Sequence, residues 1–417
     1  MKYFKYLTVL AVLACSCQNN SEKWASAKLV FTEIPTPCQD GEAPNLFVSG
    51  DGQVYLTWVE FLNDTTDALL FSKLENGQWG KAATIAQGDD WFVNWADFPS
   101  LSANGNWLAA HWLQKSTDST YDYDVRISQS KNGGQWGPSF IPHSDSMAAE
   151  HGFVTMFPIS EKRMFATWLD GRNTKAGSQS SVSSSQSDNG HGHGGGAMTL
   201  RTAEFDRDGN LFEESELDNR ICDCCQTDAV LASQGPVVVY RDRSEHEIRD
   251  IGIVRKVNGE WTKPHLIHAD NWEISGCPVN GPAVAANGDL LAVAWFTSAG
   301  GKGVVKVAFS GDAGATFSEL VQVDDGNPSG RVDVEFLDNE NVLVTWLENT
   351  ENAAEIRAAI TSEKGKEGES MTLVQTSPAR SSGFPVLAKN KDHFLLAWTA
   401  VDSISTTVKT AKWQLQK

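Results

Sequence analysis

Apolar residues recur along this chain in short blocks that close on an aromatic side chain and are separated by polar turns. VYLTW ends at Trp58, LAAHW at Trp112, MFATW at Trp168, PVVVY at Tyr240, LAVAW at Trp295 and VLVTW at Trp346, and LLAWT surrounds Trp398; the intervals are 54, 56, 72, 55, 51 and 52 residues. A fixed period of this kind marks a repeat architecture. Each unit reads as four strands, A to D. In the first they are APNLFV, QVYLTWVE, ALLFSK and WGKAATIA, with turn signals at Asp51-Gly52 and Asn76-Gly77. Later units copy the pattern, as in GPAVAA, LLAVAW, GVVKVAFS and TFSELVQV of the fifth. Four strands per unit, repeated seven times, predict an all-β, seven-bladed β-propeller. A six-bladed sialidase-type propeller with an extra hairpin, or a two-domain sandwich, would be the alternatives.

Ring closure gives an independent check. The seventh unit runs out after TTVKTAKWQL, while EKWASAKLVFTEI near the N-terminus matches the D pattern of GQWGKAATIA and GEWTKPHLIH. The N-terminal strand is therefore expected to complete the last blade and leave no open edge.

Ahead of that strand, Lys2 and Lys5 precede an apolar run from Leu7 to Ala14, the form of a secretory signal over residues 1–14. Val-Leu-Ala-Cys resembles a bacterial lipobox, which implies cleavage before Cys15 and lipid on its sulfur. Residues 15–23 would then be a tether and 24–417 a single propeller domain in the cell envelope, facing periplasm or exterior. Cysteine pairs become disulfides in such a space. Fifteen Trp and 19 Phe in a chain that is 41% hydrophobic are ample for a large core. The net charge of −19 argues against nucleic acid as a partner. A monomer is expected.

SGDAGATF, Ser310 to Phe317, has the Ser-x-Asp-x-Gly-x-Thr-Phe form of the Asp-box, and SKLENGQW, SKNGGQW and RKVNGEW are degenerate versions at the same turn. On these motifs the chain resembles the sialidase-like (BNR-repeat) propellers. RICDCCQTDAV, YRDRSEHEIRDI and NWEISGCPVNGP further resemble a group of exported bacterial proteins labelled exo-α-sialidase. The resemblance implies a propeller acting on glycans, with an arginine triad, a Tyr nucleophile paired with Glu, and an Asp acid/base. No Arg-Ile-Pro motif accompanies them; the nearest strings are EIPTP at Glu33 and VRIS at Val125.

With antiparallel strands, the B-to-C and D-to-A loops share one face, here the upper face, and D-to-A loops reach the axis. Cys222, Cys277 and Arg380 each stand 18 positions before their closing aromatic, and Cys225 and Arg331 stand 15 before theirs. Arg172, Arg220, Arg241, Arg243 and Arg249 fall on the same face, with Glu150, His151, His246, Trp91, Trp95 and Trp272. Guanidinium groups gathered in an acidic protein suit an anionic ligand, a glycan or other small molecule, because their forks bind carboxylate bidentately. Arg241, Arg243, Arg249, Arg331, Arg380 and His151 are the candidates. The alternative is that they pair with Asp223, Asp228, Asp242 or Asp333 to tie blades together.

Three readings hold for Cys222, Cys224, Cys225 and Cys277. They form disulfides, with Cys277 bridged to Cys222 or Cys224; they ligate zinc or copper; or one remains a functional thiol. The third unit carries an insertion at about 174–196, rich in Ser and Gly, in which His191 and His193 are further candidate ligands. For catalysis the candidates are Tyr121, Tyr123, Asp242 and Glu245, with His151 as a base for lyase chemistry. The function classes are thus an exported module that binds an anionic glycan or a metal, a sialidase-type glycoside hydrolase, and a structural or partner-binding lipoprotein.

Overall fold

The computed structural model describes residues 28–175, 196–351, 353–391, 393–402 and 405–416. Strands pair into seven separate antiparallel sheets, six of them following chain order from the axis outward and the seventh closed by the N-terminal strand. Blade one comprises A Gly41–Val48, B Val54–Phe61, C Asp67–Glu75 and a D strand in two pieces, Gln78–Trp79 and Ala83–Gly88. Blades two to six begin with A strands Ser100–Asn104, His151–Ser160, Asp228–Ala232, Ala283–Asn287 and Pro328–Phe336. Blade seven takes A, B and C from Val386–Asn390, His393–Val401 and Thr406–Gln416, and its outer strand from Lys28–Ile34. That N-terminal strand pairs with the C-terminal one in the register Phe31↔Trp413 and Ile34↔Thr410. The expected closure is what the fold contains.

Burial explains the sequence pattern. A strand B sits mid-blade with a neighbouring blade on each face, so it buries both faces and reads as a near-continuous apolar run: seven of the eight positions in VYLTWVEF are buried. Outer strands alternate or turn polar, as in LFEESELD of blade three. All seven closing aromatics are buried, from 0% exposure at Trp58, Trp168, Trp295 and Trp346 to 7% at Trp112. Each large aromatic burial of this kind contributes roughly 2–3 kcal/mol. Because side chains two apart share a face of a strand, the indole N–H of three of them reaches the carboxylate at i+2: Trp58 to Glu60 at 2.6 Å, Trp168 to Asp170 at 2.9 Å and Trp346 to Glu348 at 2.7 Å. Those carboxylates also accept backbone N–H groups of the loops, from Gln39 to Glu60 at 3.1 Å and from Arg172 to Asp170 at 3.1 Å.

At the Ser310–Phe317 turn Asp312 accepts from Thr316 N at 2.9 Å and Thr316 Oγ1 at 2.7 Å, and Ser310 Oγ accepts from Gly314 N at 2.9 Å. The turn joins strand C of blade five (Val304–Ser310) to its D strand (Val321–Gln322), on the side opposite the D-to-A loops. It stiffens the hairpin and takes no part in the upper face.

Candidate functional site

The seven A strands surround an axial cavity of about 290 Å³. Its polar lining is acidic and interlocked from blade to blade. Asp97 accepts Phe153 N at 2.7 Å, Asp228 accepts Val284 N at 2.7 Å and Asp333 accepts Leu387 N at 2.7 Å. Burial raises Asp97, Asp228 and Glu335 to about 7 and Asp333 well above the carboxylate range.

The position 15 residues before each closing aromatic forms a ring at the upper mouth: Ala43, Asp97, Phe153, Cys225, Asn280, Arg331 and Gly383. In blades one, three and six the strand bulges here, with register shifts and left-handed φ of 55° at Ala43, 54° at Phe153 and 55° at Arg331. Ring neighbours touch. Asn280 Oδ1 accepts Arg331 N at 2.8 Å, and Arg331 Nη1 donates to Gly383 O at 2.7 Å. Glycines flank the bulges for a steric reason: a Cβ on Gly152 would lie 2.0 Å from Asp97 Oδ2, and one on Gly330 2.0 Å from Asn280 Oδ1.

At the entry to blade four Cys222, Cys224 and Cys225 are packed into one buried apolar cluster with Ile221, Phe153 and Phe384, while Cys277 at the entry to blade five is exposed. Cys224 and Cys277 form a disulfide that joins the loops entering these two blades, with Cα atoms 6.0 Å apart. This removes two sulfurs from the proposed four-cysteine metal set, because a bridged sulfur cannot serve as a thiolate ligand. Cys222 and Cys225 remain thiols, 2.7 Å apart, and Arg249 Nη1 donates to Cys222 Sγ at 3.2 Å. Burial raises the Cys222 thiol, but the Cys225 hydrogen bond and the Arg249 charge outweigh it and bring the thiol below its usual range. Cys38 is the other thiol among the described residues, pushed up to about 12 by burial.

Around the cysteines the arginines are consumed by the protein itself. Arg241 is 2% exposed, donates to the carbonyls of Asn280 (2.7 Å), Arg249 (2.5 Å) and Phe296 (2.7 Å), and lies over Trp272 with its Cζ 4.9 Å from the ring centroid. Arg243 pairs with Asp223 at 2.9 Å and Glu247 at 2.7 Å, and Arg249 pairs with Glu247 at 2.6 Å. Arg172 holds Asp170 at 2.7 Å, Asp145 at 3.0 Å and Glu214 at 3.1 Å. All four are thus held by partners within the protein: Arg241 reaches across to blade five, whereas Arg243 and Arg249 pair within the blade-four loops.

Arg331 differs. Its Nη1 donates to Ser382 Oγ at 2.7 Å and to Gly383 O at 2.7 Å, and its guanidinium faces Trp95 (4.9 Å) and Phe384 (5.8 Å). None of these partners is charged, and among the described residues no carboxylate lies within ion-pair reach. Burial, with the nearby Arg380 charge, lowers Arg331 to about 10. Arg380 is exposed on a short 3-10 turn, Arg380–Ser382, beside it. Trp95 is half-exposed, whereas Trp91 is stacked on Trp112 in the core.

Of the catalytic candidates, Tyr123 donates to Glu150 Oε1 at 2.8 Å and to Asp97 Oδ2 at 3.2 Å. Burial raises Glu150 to about 8. Tyr123 has no exposed surface and its ring stacks on Phe92 at 4.1 Å. Tyr121 is exposed at the blade-two rim. Asp242, raised to about 6 by burial, and exposed Glu245 belong to the B-to-C loop of blade four; Tyr123 partners neither. His151 is fully buried between blades two and three, stacked at 3.7 Å on His143. The sequence reading passed over His143, Asp124, Asp145 and Asp97; two histidines on the same approach to strand A of blade three were the available signal. Cys15, His191, His193, the tether and most of the insertion lie outside the described residues.

No protein-family model matches the sequence, and no curated protein matches it. Solved structures do match in fold. A protein of unknown function from Dyadobacter fermentans aligns over 94% of this chain and 99% of its own, with TM-score 0.52 and 11% identity. The polysaccharide lyase Uly1 aligns over 92% and 91%, with TM-score 0.53 and 9% identity. NanB sialidase from Streptococcus pneumoniae aligns over 93% and 70%, with TM-score 0.43 and 11% identity. Arabinofuranosidase and arabinanase structures match as well, with TM-scores of 0.46 and 0.45.

Proposed function

We propose that this chain is a glycan-directed propeller that holds an acidic saccharide at the upper mouth of its hub, with Arg331 and Arg380 as the cationic pair and Trp95 as the stacking surface. The observation that carries the reading is the Arg331 guanidinium, 8% exposed, hydrogen-bonded to neutral oxygens and flanked by a second arginine and two aromatic rings. A buried charge without a counter-charge is costly, and a ligand carboxylate supplies the missing partner through a bidentate contact. Aromatic walls with a few convergent polar groups are the usual make-up of a small-ligand site. The polysaccharide lyase Uly1, alike in fold, gives the carbohydrate reading a precedent on this architecture. Lipid on Cys15 would tether the disc at the cell envelope, where such saccharides are met.

Binding is placed ahead of hydrolysis because Tyr123, the tyrosine with a glutamate partner, has its hydroxyl closed off from solvent. The Tyr123–Glu150 contact keeps a sialidase-type reaction as the second reading; release of a fluorophore from an α-sialoside, abolished in Tyr123→Phe, would promote it. The first reading is tested by calorimetric titration of uronate- or sialate-bearing oligosaccharides against neutral counterparts of equal length. Heat from the acidic series alone, falling with added salt, supports it. Equal binding of neutral sugars, or none of either, overturns it.

A further inference from the structure

Between blades two and three lies a polar cluster that does not line the axial cavity. His143, on the connection into blade three, and His151, the first residue of its A strand, stack face to face with ring centroids 3.7 Å apart and planes 8° apart. His143 Nε2 and His151 Nδ1 both lie 3.6 Å from Asp124 Oδ1. On the other edge of the stack, His143 Nδ1 and His151 Nε2 both lie 3.2 Å from Asp145 Oδ2, and Asp170 Oδ1 is 3.7 Å from His151 Nε2. Arg172 fixes Asp145 and Asp170 at 3.0 and 2.7 Å.

A histidine–aspartate ion pair would explain His151, which hydrogen-bonds Asp145 Oδ2 and Tyr123 O, each at 3.2 Å. It does not explain His143. That side chain is 3% exposed, and neither ring nitrogen makes a hydrogen bond, although carboxylates stand at both edges. A buried imidazole whose nitrogens make no hydrogen bond costs about 1–3 kcal/mol. The Nε2 edge of the ring stands 3.6 Å from Asp124 Oδ1 with His151 stacked on the ring face, and ligand atoms of these three residues all lie within 4.8 Å of one another. A surface cavity of about 270 Å³, bordered by exposed Met147, reaches Asp124 and His143 and supplies an entry path.

We propose that Asp124, His143 and His151 bind a divalent transition-metal ion, zinc being the expected one, with the cavity side left open for water or ligand. Two imidazoles and one carboxylate suit zinc. For one ion to meet both imidazoles the two rings must turn out of their parallel stack, and the ion then displaces the proton that His151 Nδ1 shares with the Tyr123 carbonyl. Asp145 and Asp170 then accept from the far ring nitrogens, the arrangement that orients metal-bound histidines and raises their basicity. The site uses no cysteine and is independent of the Arg331 mouth.

The full chain, freed of metal by chelator dialysis, is titrated with zinc and with cobalt. A single zinc per chain is expected, weakened by roughly 100-fold or more in His143→Gln and in Asp124→Asn, beyond the loss expected for an outer-shell partner. The Cys222→Ser/Cys225→Ser double variant should retain it. Cobalt should give visible ligand-field bands without thiolate charge-transfer absorption. Circular dichroism checks folding, and should His143→Gln fail to fold, Asp124→Asn, at a carboxylate 14% exposed, carries the test. No zinc binding, affinity unchanged in both variants, or a thiolate-type cobalt spectrum lost in the double cysteine variant would each overturn the proposal.

Discussion

Cys225 and Arg331 stand at equivalent points of blades four and six, each 15 residues ahead of its closing aromatic, and their surroundings are opposite. In the blade-four sector most groups are matched: a disulfide joins Cys224 to Cys277, Arg249 holds Cys222, and Arg241 fills three carbonyls, while Arg249 Nε alone of these is buried without a partner. In the blade-six sector a guanidinium sits against aromatic rings with neutral partners and a second arginine beside it. One position in the repeat therefore serves two ends. Where ion pairs and a disulfide dominate, the hub is stapled; the proposed ligand site lies where a charge has only neutral partners.

Removing Arg241 should do the most damage. Arg241→Met leaves three buried carbonyls without donors and should lower stability by about 3 kcal/mol or more, read by urea unfolding. A loss under about 1 kcal/mol would mean that the blade-four sector is less saturated than its geometry. Next comes the staple. Replacing both Cys224 and Cys277 by Ser opens a bridge between residues 53 apart and should cost about 3 kcal/mol in thermal unfolding.

Acid–base behaviour probes the interlocked carboxylates beneath both sectors. Asp97, Asp228 and Glu335 at about 7, Glu150 at about 8 and Asp333, pushed well above the carboxylate range, all lie above the unfolded value near 4. Each binds its proton more tightly when folded, so its contribution is complete below about pH 4 and is lost as pH rises through the folded value. Histidine ionisation in the unfolded chain is centred near pH 6.5 and about nine-tenths complete only by about pH 7.5, so it adds little slope above that. Melting temperature should fall between about pH 7.5 and 8.5; a rise would show that water reaches the axial carboxylates. Smallest in stability is Arg380→Ala, expected to change it by under about 0.5 kcal/mol while weakening an acidic saccharide about tenfold. Such a change in binding without a change in folding is what separates the two sectors.

Legibility followed the range of the interactions. Trp58, Trp168 and Trp346 announced their strands because each buried run and its i+2 carboxylate are contiguous in sequence. The A-strand entry positions were also readable, as offsets from those aromatics. Which arginines were consumed was not: Arg241 reaches Asn280, 39 residues on, and Phe296, 55 on. His143 was missed because its significance lies in a stack with His151 and in Asp124 on a neighbouring strand, not in its immediate sequence.

The sequence by itself determined the number of blades, the closure by the N-terminal strand and the face on which the chemistry-bearing side chains gather, since period-two patterning and repeat length are local properties of the chain. Tertiary structure alone decided that Cys277 pairs with Cys224, that Arg241, Arg243 and Arg249 are spent inside the protein and that Arg331 is not. Those outcomes depend on which groups from other blades come within about 3 Å, and hydrogen bonds and ion pairs fall away steeply beyond that distance.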